Sequence, residues 1–421
     1  MLKSLKLKGV GPVPNLEANF GERLNVLTGD NGLGKSFLLD VIFWTQTGSW
    51  PNDRVALPYS KTKVEDPEIE YGRFGAQQPY FNEFHFDYAS QSWPEKEPLN
   101  HDLVFYVAVD GGIHFWDELR GFRPKSKHSA WIDHPADPYQ FNPENLSNGL
   151  QVDGQRISNG IVQDWVTWFL QRSINNGNAA FSRLESVVRT LSHPNEPVTC
   201  SEPKRIFIDD SRDFPILSTQ YGDVPYPHWA AGLRRIIHFA YLLVWGWHEH
   251  VQNAKLQNKA PYKNIVLLID EIEAHLHPKW QRTILPAILA VAKELDPEIK
   301  VQFFVTTHSP LVLVSLEPHF SNEKDKLFWF DLDKDVIHFQ EYPWSIHGDA
   351  TGWLTSEIFG LKQARSQEAE TAIDAAKAFM RGDFSKLPSG MKTKEEIHKE
   401  LLRLLPGMDP FWPRWIVEVK P

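Results

Sequence analysis

The stretch Leu24-Asn25-Val26-Leu27-Thr28-Gly29-Asp30-Asn31-Gly32-Leu33-Gly34-Lys35-Ser36-Phe37-Leu38 decides the fold. A short apolar run stops at Gly29, two more glycines follow, and Lys35-Ser36 opens a second apolar run of helical character. The glycines, lysine and serine have the spacing G-x-x-x-x-G-K-[ST]. This order predicts a strand, a phosphate-binding loop and a helix.

Each residue type in this loop suits the binding of a polyphosphate. Glycines let successive backbone N–H groups turn inward, and the helix N-terminus adds partial positive charge. Lys35 is predicted to reach the β- and γ-phosphates of ATP, and the Ser36 hydroxyl to ligate Mg²⁺. The other predicted nucleotide contacts are Asp30, Asn31, Gly32, Leu33, Gly34 and Phe37. The alternative, a glycine-rich turn followed by chance by a lysine, does not account for the full spacing.

A second stretch, residues 265–278, reads Ile-Val-Leu-Leu-Ile-Asp-Glu-Ile-Glu-Ala-His-Leu-His-Pro. Five apolar residues that end in Asp270 and Glu271 predict a buried parallel strand whose carboxyl end meets a ligand. Asp270 is predicted to hold Mg²⁺, and Glu271 to act as the general base that activates water. A plain strand end is the alternative. His275 and His277 could form a metal pair, but nucleotide or subunit contacts are favoured because no third ligand is apparent.

A third stretch, residues 301–310, reads Val-Gln-Phe-Phe-Val-Thr-Thr-His-Ser-Pro. It is another buried-strand run, and His308 follows its carboxyl end. A histidine there can hydrogen-bond the γ-phosphate and respond to its presence. Strand-end histidines are common, so the prediction depends on the order of the three stretches.

Composition limits the class of protein. The chain has 421 residues, a formal net charge of -10 and one cysteine, Cys200. The charge argues against indiscriminate coating of nucleic acid, and one cysteine excludes an intramolecular disulfide. No apolar run is long enough for a signal peptide or a membrane span, so a cytoplasmic location is expected.

The pattern along the chain predicts an α/β protein. Strands at the start feed the phosphate loop, and alternating residues from 81 to 116 predict an antiparallel β lobe beside it. Helical periodicity between about 150 and 200 predicts a helical insertion. Strands over 204–209 and 214–217 are expected to form a hairpin around residues 210–213. An apolar helix is expected over 236–247, followed by a polar link to residue 263.

These motifs resemble the ABC-type ATPase heads of the SMC, RecF and OLD group over approximately residues 1–345. By this likeness residues 29–36 are the Walker A loop, 265–271 the Walker B strand, 274–278 the D-loop, and His308 the switch histidine. The Glu-Ala-His-Leu-His-Pro run is most like stand-alone ATPases of bacterial anti-phage systems such as Septu, PARIS and certain retrons. The resemblance implies a mostly parallel central sheet, and ATP and Mg²⁺ as cofactors. Gln77 or Gln78 could be the glutamine that contacts Mg²⁺ or the attacking water, but a glutamine of a surface loop is favoured for both.

The signature loop of that group is matched best by residues 229–233, Trp-Ala-Ala-Gly-Leu. The family serine, which reaches the γ-phosphate bound by the opposing subunit, is replaced by Ala230. Gly232 and the following helix N-terminus can still supply backbone N–H groups. ATP-dependent dimerisation with slow hydrolysis is therefore expected.

The rest of the chain, residues 346–421, predicts a helical extension with helices over 350–361, 367–380 and 394–405. The aromatic segment 409–415 either folds back on the head or docks a partner. Asp331-Leu332-Asp333 resembles a nuclease motif but is interpreted as a hairpin turn.

The sequence thus predicts an ATP-binding and ATP-hydrolysing domain without an effector domain. The resemblance implies a separate effector protein such as a nuclease or toxin. Two alternatives are a RecF-like repair ATPase that binds duplex DNA directly, and a nucleotide-binding structural protein with negligible turnover.

Overall fold

The computed structural model describes residues 1–59, 66–75, 82–94, 102–120, 137–172 and 179–417. The chain divides into two compact units, Met1–Ile346 and His347–Pro421. Within the described residues, no helix is both long enough and apolar enough to cross a bilayer.

The strands are β1 (Leu2–Val10), β2 (Val13–Asn19), β3 (Leu24–Gly29), β4 (Glu68–Arg73), β5 (Asn82–His85), β6 (Asp102–Val107), β7 (Ile113–Asp117), β8 (Tyr139–Phe141), β9 (Leu150–Val152), β10 (Gln155–Ser158), β11 (Thr199–Arg205), β12 (Asp213–Thr219), β13 (Gly222–Pro225), β14 (Asn264–Ile269), β15 (Lys300–Thr306), β16 (Asp325–Asp333) and β17 (Val336–Glu341). The helices are α1 (Lys35–Thr47), α2 (Pro143–Asn148), α3 (Ile161–Gln171), α4 (Ala179–Leu191), α5 (Ala231–Leu256), α6 (Pro278–Gln281), α7 (Ile284–Leu295), α8 (Pro310–Leu316), α9 (Ala350–Leu354), α10 (Gln367–Met380), α11 (Lys394–Leu404) and α12 (Trp412–Val417).

The first unit is built on an eight-stranded sheet with the order β17-β16-β3-β15-β14-β6-β7-β8. The five strands from β16 to β6 run parallel to their neighbours, and antiparallel strands flank them on both sides. The apolar runs that form β3, β14 and β15 are buried, as parallel strands covered on both faces must be. Their carboxyl ends therefore meet at one edge of the sheet. The predicted α/β fold with a mostly parallel central sheet is confirmed.

A separate antiparallel sheet with the order β2-β1-β4-β5 forms the predicted β lobe. Alternate residues of its strands, such as Leu5, Leu7 and Ile69, pack in one apolar cluster with helix α1. The prediction for the hairpin β6–β7 was wrong, because it lies in the central sheet and not in the lobe. There β6 pairs in parallel with β14, so it supports the strand that ends in Asp270.

Helices α3 and α4 follow the sheet strands as the helical insertion, and a three-stranded antiparallel sheet, β11-β12-β13, follows them. Its first strand ends at Arg205, so the predicted strand over 204–209 was placed about five residues too late. Helix α5 extends beyond the predicted 236–247 at both ends. Its middle is buried on every face, and its last turns carry polar residues that had been interpreted as a link.

The second unit is a small helical bundle. Alanines of α10 pack against Ile397 and Leu401 of α11. The predicted helix 350–361 ends already at Leu354, where Ser356 Oγ donates a hydrogen bond back to the Trp353 carbonyl. In the aromatic segment, Phe411 and Trp415 are buried in the core of this unit itself. The docking of a partner by this segment stays a prediction.

Candidate nucleotide-binding site

The phosphate loop connects β3 to α1 through three glycines with positive φ. Gly29, Gly32 and Gly34 have φ of 132°, 77° and 105°, values that side chains disfavour. A Cβ at Gly34 would lie 2.6 Å from Pro12 Cγ, and one at Gly29 would lie 2.2 Å from the Phe330 carbonyl oxygen. The glycines of the motif are thus required by backbone conformation and by close packing.

Lys35 opens helix α1, and its side chain folds back over the loop. Its Nζ donates hydrogen bonds to the carbonyl oxygens of Gly29, at 2.9 Å, and Asp30, at 2.6 Å. The ammonium group therefore lies inside the loop that the sequence predicts to bind phosphates. Of the other predicted contacts, Asp30, Asn31, Gly32 and Ser36 are exposed, whereas Leu33 is buried and Phe37 and Gly34 are half-buried.

Asp270 and Glu271 follow β14, next to the carboxyl end of β15. Thr306 Oγ1 donates to Asp270 Oδ1 at 2.7 Å and accepts from the Glu271 backbone N–H at 2.7 Å. Both Asp270 and Thr306 are buried. One hydroxyl thus fixes the first carboxylate and the backbone of the second.

Glu271 has a φ of 47°, a left-handed conformation that is uncommon outside glycine and concentrates at functional sites. Its Oε1 lies 3.9 Å from His308 Nε2. His308 is held in turn by Glu273, which accepts hydrogen bonds from the His308 backbone N–H and from Thr307 Oγ1. We call Lys35, Asp270, Glu271, Thr306 and His308 the strand-end site.

Burial and charge set the protonation of this site. Burial lowers the pKa of Lys35 to about 8, although Asp270, Glu271 and Asp30 favour its charged form. Burial, and next the Lys35 charge, lower the pKa of His308, so its ring is neutral at neutral pH. At pH 7 both the charged lysine and the neutral histidine carry an N–H that can donate a hydrogen bond to a phosphate.

Sequence reasoning missed two side chains next to this site. The Arg235 guanidinium donates to the carbonyl oxygens of Asp270, at 3.0 Å, and Val109, at 3.1 Å, and so ties α5 to two strand ends. Asp40 of α1 accepts a hydrogen bond from Tyr106 Oη at 2.9 Å. Burial raises the pKa of Asp40 to about 6. For Arg235 and for Asp40, the only sequence signal was a charged residue inside an apolar helical pattern.

The residues of the signature-like loop lie elsewhere on the same unit. Ala230 is the N-cap of α5, where it provides no side-chain cap. A Cβ at Gly232 would lie 2.6 Å from the His275 carbonyl oxygen, so this loop packs on the D-loop. His275 and His277 are exposed beside it. We call Ala230, Gly232, His275 and His277 the signature edge.

Two other predictions concern glutamines and metals. Gln77 and Gln78 lie outside the described residues. Among the residues that are described, no group of three or more His, Cys, Asp or Glu side chains could hold a metal ion, and His277 Nδ1 accepts a hydrogen bond from the Lys279 backbone N–H. The nucleotide or subunit contacts expected of His275 and His277 stay predictions.

The donor set at the loop does fit Mg²⁺ with a nucleotide. Mg²⁺ binds through one or two protein oxygens together with substrate phosphates, and it does not need a cage of side chains. The buried Asp270 follows β14, and β15 lies between β14 and β3, the strand that precedes the phosphate loop. The exposed Ser36 lies at the start of α1. These features together define a P-loop ATPase head.

Comparison with known proteins agrees with that class. Residues 4–187 match the family model described as "AAA domain", and residues 201–315 match "AAA domain, putative AbiEii toxin, Type IV TA system". Septu protein PtuA of Bacillus thuringiensis is 24% identical over an alignment of 390 residues that covers 87% of this chain and 86% of that protein. Retron Ec83 probable ATPase of Escherichia coli is 31% identical over 108 residues, 26% of this chain and only 17% of the relative.

Among solved structures, the SMC head domain from Thermotoga maritima has a TM-score of 0.38 at 14% identity and covers 82% of this chain and 99% of its own. RecF with ATPrS has a TM-score of 0.37 at 13% identity and covers 80% and 98%. The predicted resemblance to ATPases of anti-phage systems is confirmed: the chain is similar to the Septu protein over most of its length and to a retron ATPase over a shorter stretch, and AAA domain models match two parts of it.

Proposed function

We propose that this chain is the ATPase component of an anti-phage defence system, in which two heads close around ATP and control a separately encoded effector, a nuclease or toxin. The observation that carries the proposal is the convergence of Lys35 with Asp270, Glu271 and His308, which lie far apart in the sequence. Charge coupling between Lys35 and both carboxylates supports it.

In the proposed reaction, Lys35 exchanges its bonds to the loop carbonyls for oxygens of the β- and γ-phosphates. Glu271 accepts the proton of the attacking water, and the Thr306 hydroxyl keeps its backbone in place. Neutral His308 donates a hydrogen bond to the γ-phosphate. Mg²⁺, held by Ser36 and Asp270, would neutralise charge on the phosphates.

The signature edge supports closure of two copies. Helix α5 begins at Ala231 without a side-chain cap, so its first N–H groups are available to an anion. The edge lacks a hydroxyl because position 230 is alanine. We therefore propose slow hydrolysis and a long-lived closed dimer.

The defence role rests on likeness. The alignment with the Septu protein spans most of both chains, and shorter stretches of this chain are similar to two retron ATPases. By the resemblance stated from the sequence, ATPases of this kind act with an effector encoded beside them in the cytoplasm.

Two purified variants test the chemistry. Lys35→Ala should lower the ATPase rate by about 100-fold or more, because it removes a charged donor to the transferred phosphate. Glu271→Gln should lower it similarly while it preserves ATP binding and accumulates the closed dimer in light scattering with Mg-ATP. Equal background rates in all three proteins would favour the structural, non-hydrolysing alternative. A persistent monomer in Glu271→Gln would refute the closed dimer.

Tagged expression from the native locus tests the partner. An unrelated protein encoded next to this chain should co-purify with it, and phage protection should require both genes and Lys35. Salt-sensitive binding of duplex DNA by the chain alone, with no co-purifying protein, would favour the RecF-like alternative.

A further inference from the structure

Arg235 of helix α5 joins the ends of two neighbouring strands of the central sheet. Its guanidinium donates hydrogen bonds to four backbone carbonyl oxygens: those of Val109 at 3.1 Å, Ala108 at 3.3 Å, Asp270 at 3.0 Å and, longest, Glu271 at 3.5 Å. The first two carbonyl groups follow β6, and the other two follow β14, its neighbour in the sheet. One planar group thus connects a helix to two strand ends.

A guanidinium suits this position better than an ammonium group does. It carries five N–H donors in a fixed plane, which can serve several carbonyl oxygens at once. A lysine in its place would be a point charge on a flexible stem. Burial lowers the pKa of Arg235, whereas the carboxylates of Asp270, Glu271 and Glu273 act in the opposite direction. The group stays charged at neutral pH, as arginines in proteins do.

The backbone that Arg235 contacts has an unfavourable conformation. Glu271 has a φ of 47°, and a residue other than glycine keeps such a φ where the surrounding structure holds it. The Glu271 N–H donates to Thr306 Oγ1 at 2.7 Å, and its carbonyl oxygen accepts from the Ala274 N–H at 2.9 Å. Arg235 adds a restraint from α5. The Asp270 carbonyl belongs to the peptide group that precedes Glu271, so a bond to this oxygen restrains the φ of Glu271.

Arg235 also lies close to the signature edge. Gly232 precedes it by three residues, which is about 4.5 Å along the helix axis. The next residue, Ile236, begins the buried middle of the helix. Arg235 therefore lies between the start of α5 and its buried part. A displacement of the first turn moves the guanidinium with it, because the two are less than one helical turn apart.

We propose that Arg235 is a positioning residue: it holds Glu271 in the orientation needed to act on the attacking water, and it transmits movement of the start of α5 to Glu271. The inference rests on the proposed function, because it takes Glu271 as the general base and the signature edge as the surface that a second copy contacts. Its four hydrogen bonds go to carbonyl oxygens, so Arg235 acts through Glu271 and not on the nucleotide. Contact with a second copy at Gly232 then changes the placement of Glu271.

Hydrogen exchange of the backbone amides tests the positioning without ATP. Arg235→Lys keeps the charge but loses the planar fork, and Arg235→Gln loses both. In each full-length variant, exchange at residues 271–272, followed by mass spectrometry, should be about ten- to hundredfold faster, the range for loss of a hydrogen bond to a charged group. Arg183→Lys is the matched control, because Arg183 Nε donates to the Leu295 carbonyl oxygen at 3.1 Å, outside the site. Unchanged exchange in both Arg235 variants would overturn the positioning.

Steady-state kinetics test what the positioning does for the reaction. Both Arg235 variants should lower kcat by about ten- to hundredfold, the range for a misplaced catalytic group, and leave the KM for ATP within about twofold because the phosphate loop is intact. Arg235→Lys added to Glu271→Gln should cause no further loss, since the arginine acts through the glutamate. A further loss of similar size would contradict that route. Faster exchange with unchanged kcat would support the hold on Glu271 and refute its role as the base.

A double-mutant cycle tests the transmission. The Cβ of Gly232→Ala would lie 2.6 Å from the His275 carbonyl oxygen, so the start of α5 or the D-loop must shift. This variant should speed exchange at residues 271–272 by about threefold or more when Arg235 is present, and by clearly less in Arg235→Lys. Gly407→Ala, where a Cβ meets nothing within 4 Å, is the control. No effect of Gly232→Ala, or equal effects in the two backgrounds, would overturn the transmission.

Discussion

The strand-end site and the signature edge are two parts of one head, and they are built in opposite ways. In the strand-end site the Lys35 side chain is held by loop carbonyls and the Asp270 carboxylate by Thr306, while the backbones of Glu271 and His308 are held by Thr306 and Glu273. The signature edge offers exposed backbone at the start of α5 and two exposed histidines. The groups proposed for catalysis are thus fixed in advance in the strand-end site, whereas the signature edge is exposed.

This difference indicates which functions belong to a single chain. Preorganised polar groups lower a reaction barrier because they need no rearrangement when charge develops. An uncapped helix start gives weaker and less directional attraction for an anion. Under the proposed function, one chain supplies the side chains that hydrolyse ATP, and the approach of a second copy determines when hydrolysis occurs.

The largest effect on the strand-end site, and so on its contrast with the signature edge, is expected from Thr306→Val. Valine keeps the shape but removes the hydroxyl that joins Asp270 to the Glu271 backbone, so we expect the ATPase rate to fall by about 10- to 100-fold. Steady-state phosphate release measures it. Thr28→Val is the matched control, because the Thr28 hydroxyl is buried and, in the described residues, has no partner. Equal losses in both variants would contradict the preorganised site.

The substitution Gly232→Ala disturbs the signature edge. The added Cβ would lie 2.6 Å from the His275 carbonyl oxygen, so the D-loop or the start of α5 must move. We expect ATP-dependent dimerisation to weaken by roughly tenfold, as measured by light scattering with the Glu271→Gln background. Gly407→Ala, where a Cβ meets nothing within 4 Å, should leave dimerisation unchanged.

Substitution of Asp40 tests the buried surroundings of the strand-end site. Its pKa is raised by burial to about 6, so the folded state binds this proton more tightly than the unfolded state does. That contribution to stability is present at low pH and is lost as pH rises from about 4 to 6. Asp40→Asn should therefore increase the free energy of unfolding relative to wild type by about 1–2 kcal/mol at pH 7.5 and by little at pH 4.

Denaturant melts at both pH values measure this difference, and Asp209→Asn, at an exposed position, is the control. A difference between Asp40→Asn and wild type that does not grow with pH would show that burial does not hold a proton on Asp40.

The smallest expected effect comes from adding to the open edge. Ala230→Ser supplies an N-cap to α5, worth about 0.5–2 kcal/mol of stability, and a hydroxyl for a phosphate of the partner copy. We expect a rise in Tm and a rise of about threefold in ATPase rate, within the range of one hydrogen bond. Ala230→Asp also caps the helix but repels a triphosphate, so its Tm should rise while its rate falls. A rate that follows Tm in both variants would contradict an anion at this edge.

The sequence predicts the α/β fold and the strand ends well because those features depend on local rules. The spacing of Gly29, Gly34 and Lys35 reflects backbone conformation, and unbroken apolar runs such as residues 265–269 reflect burial on both faces. The meeting of Asp270 with Thr306 follows once β14 and β15 are known to be parallel neighbours. The functional roles of these residues stay predictions until they are tested.

The failures concern features that depend on pairing over long distances or on competing local bonds. Nothing local to β6 shows that its partner is β14, 162 residues later by the pairing of Asp102 with Asn264, so the hairpin was placed in the wrong sheet. Helix α9 ends early because Thr355 and Ser356 hydroxyls bond back to carbonyls. Arg235 was missed because an arginine's partners are set by tertiary structure.

Helix α5 has a consequence for the order of assembly. Its middle is buried on every face, and Arg235 near its start donates hydrogen bonds to the carbonyl oxygens of Asp270 and Val109. The surface proposed to meet a second copy begins with this same helix, so that surface exists only after the interior around the helix has formed. An unfolded head therefore has nothing to offer to another copy.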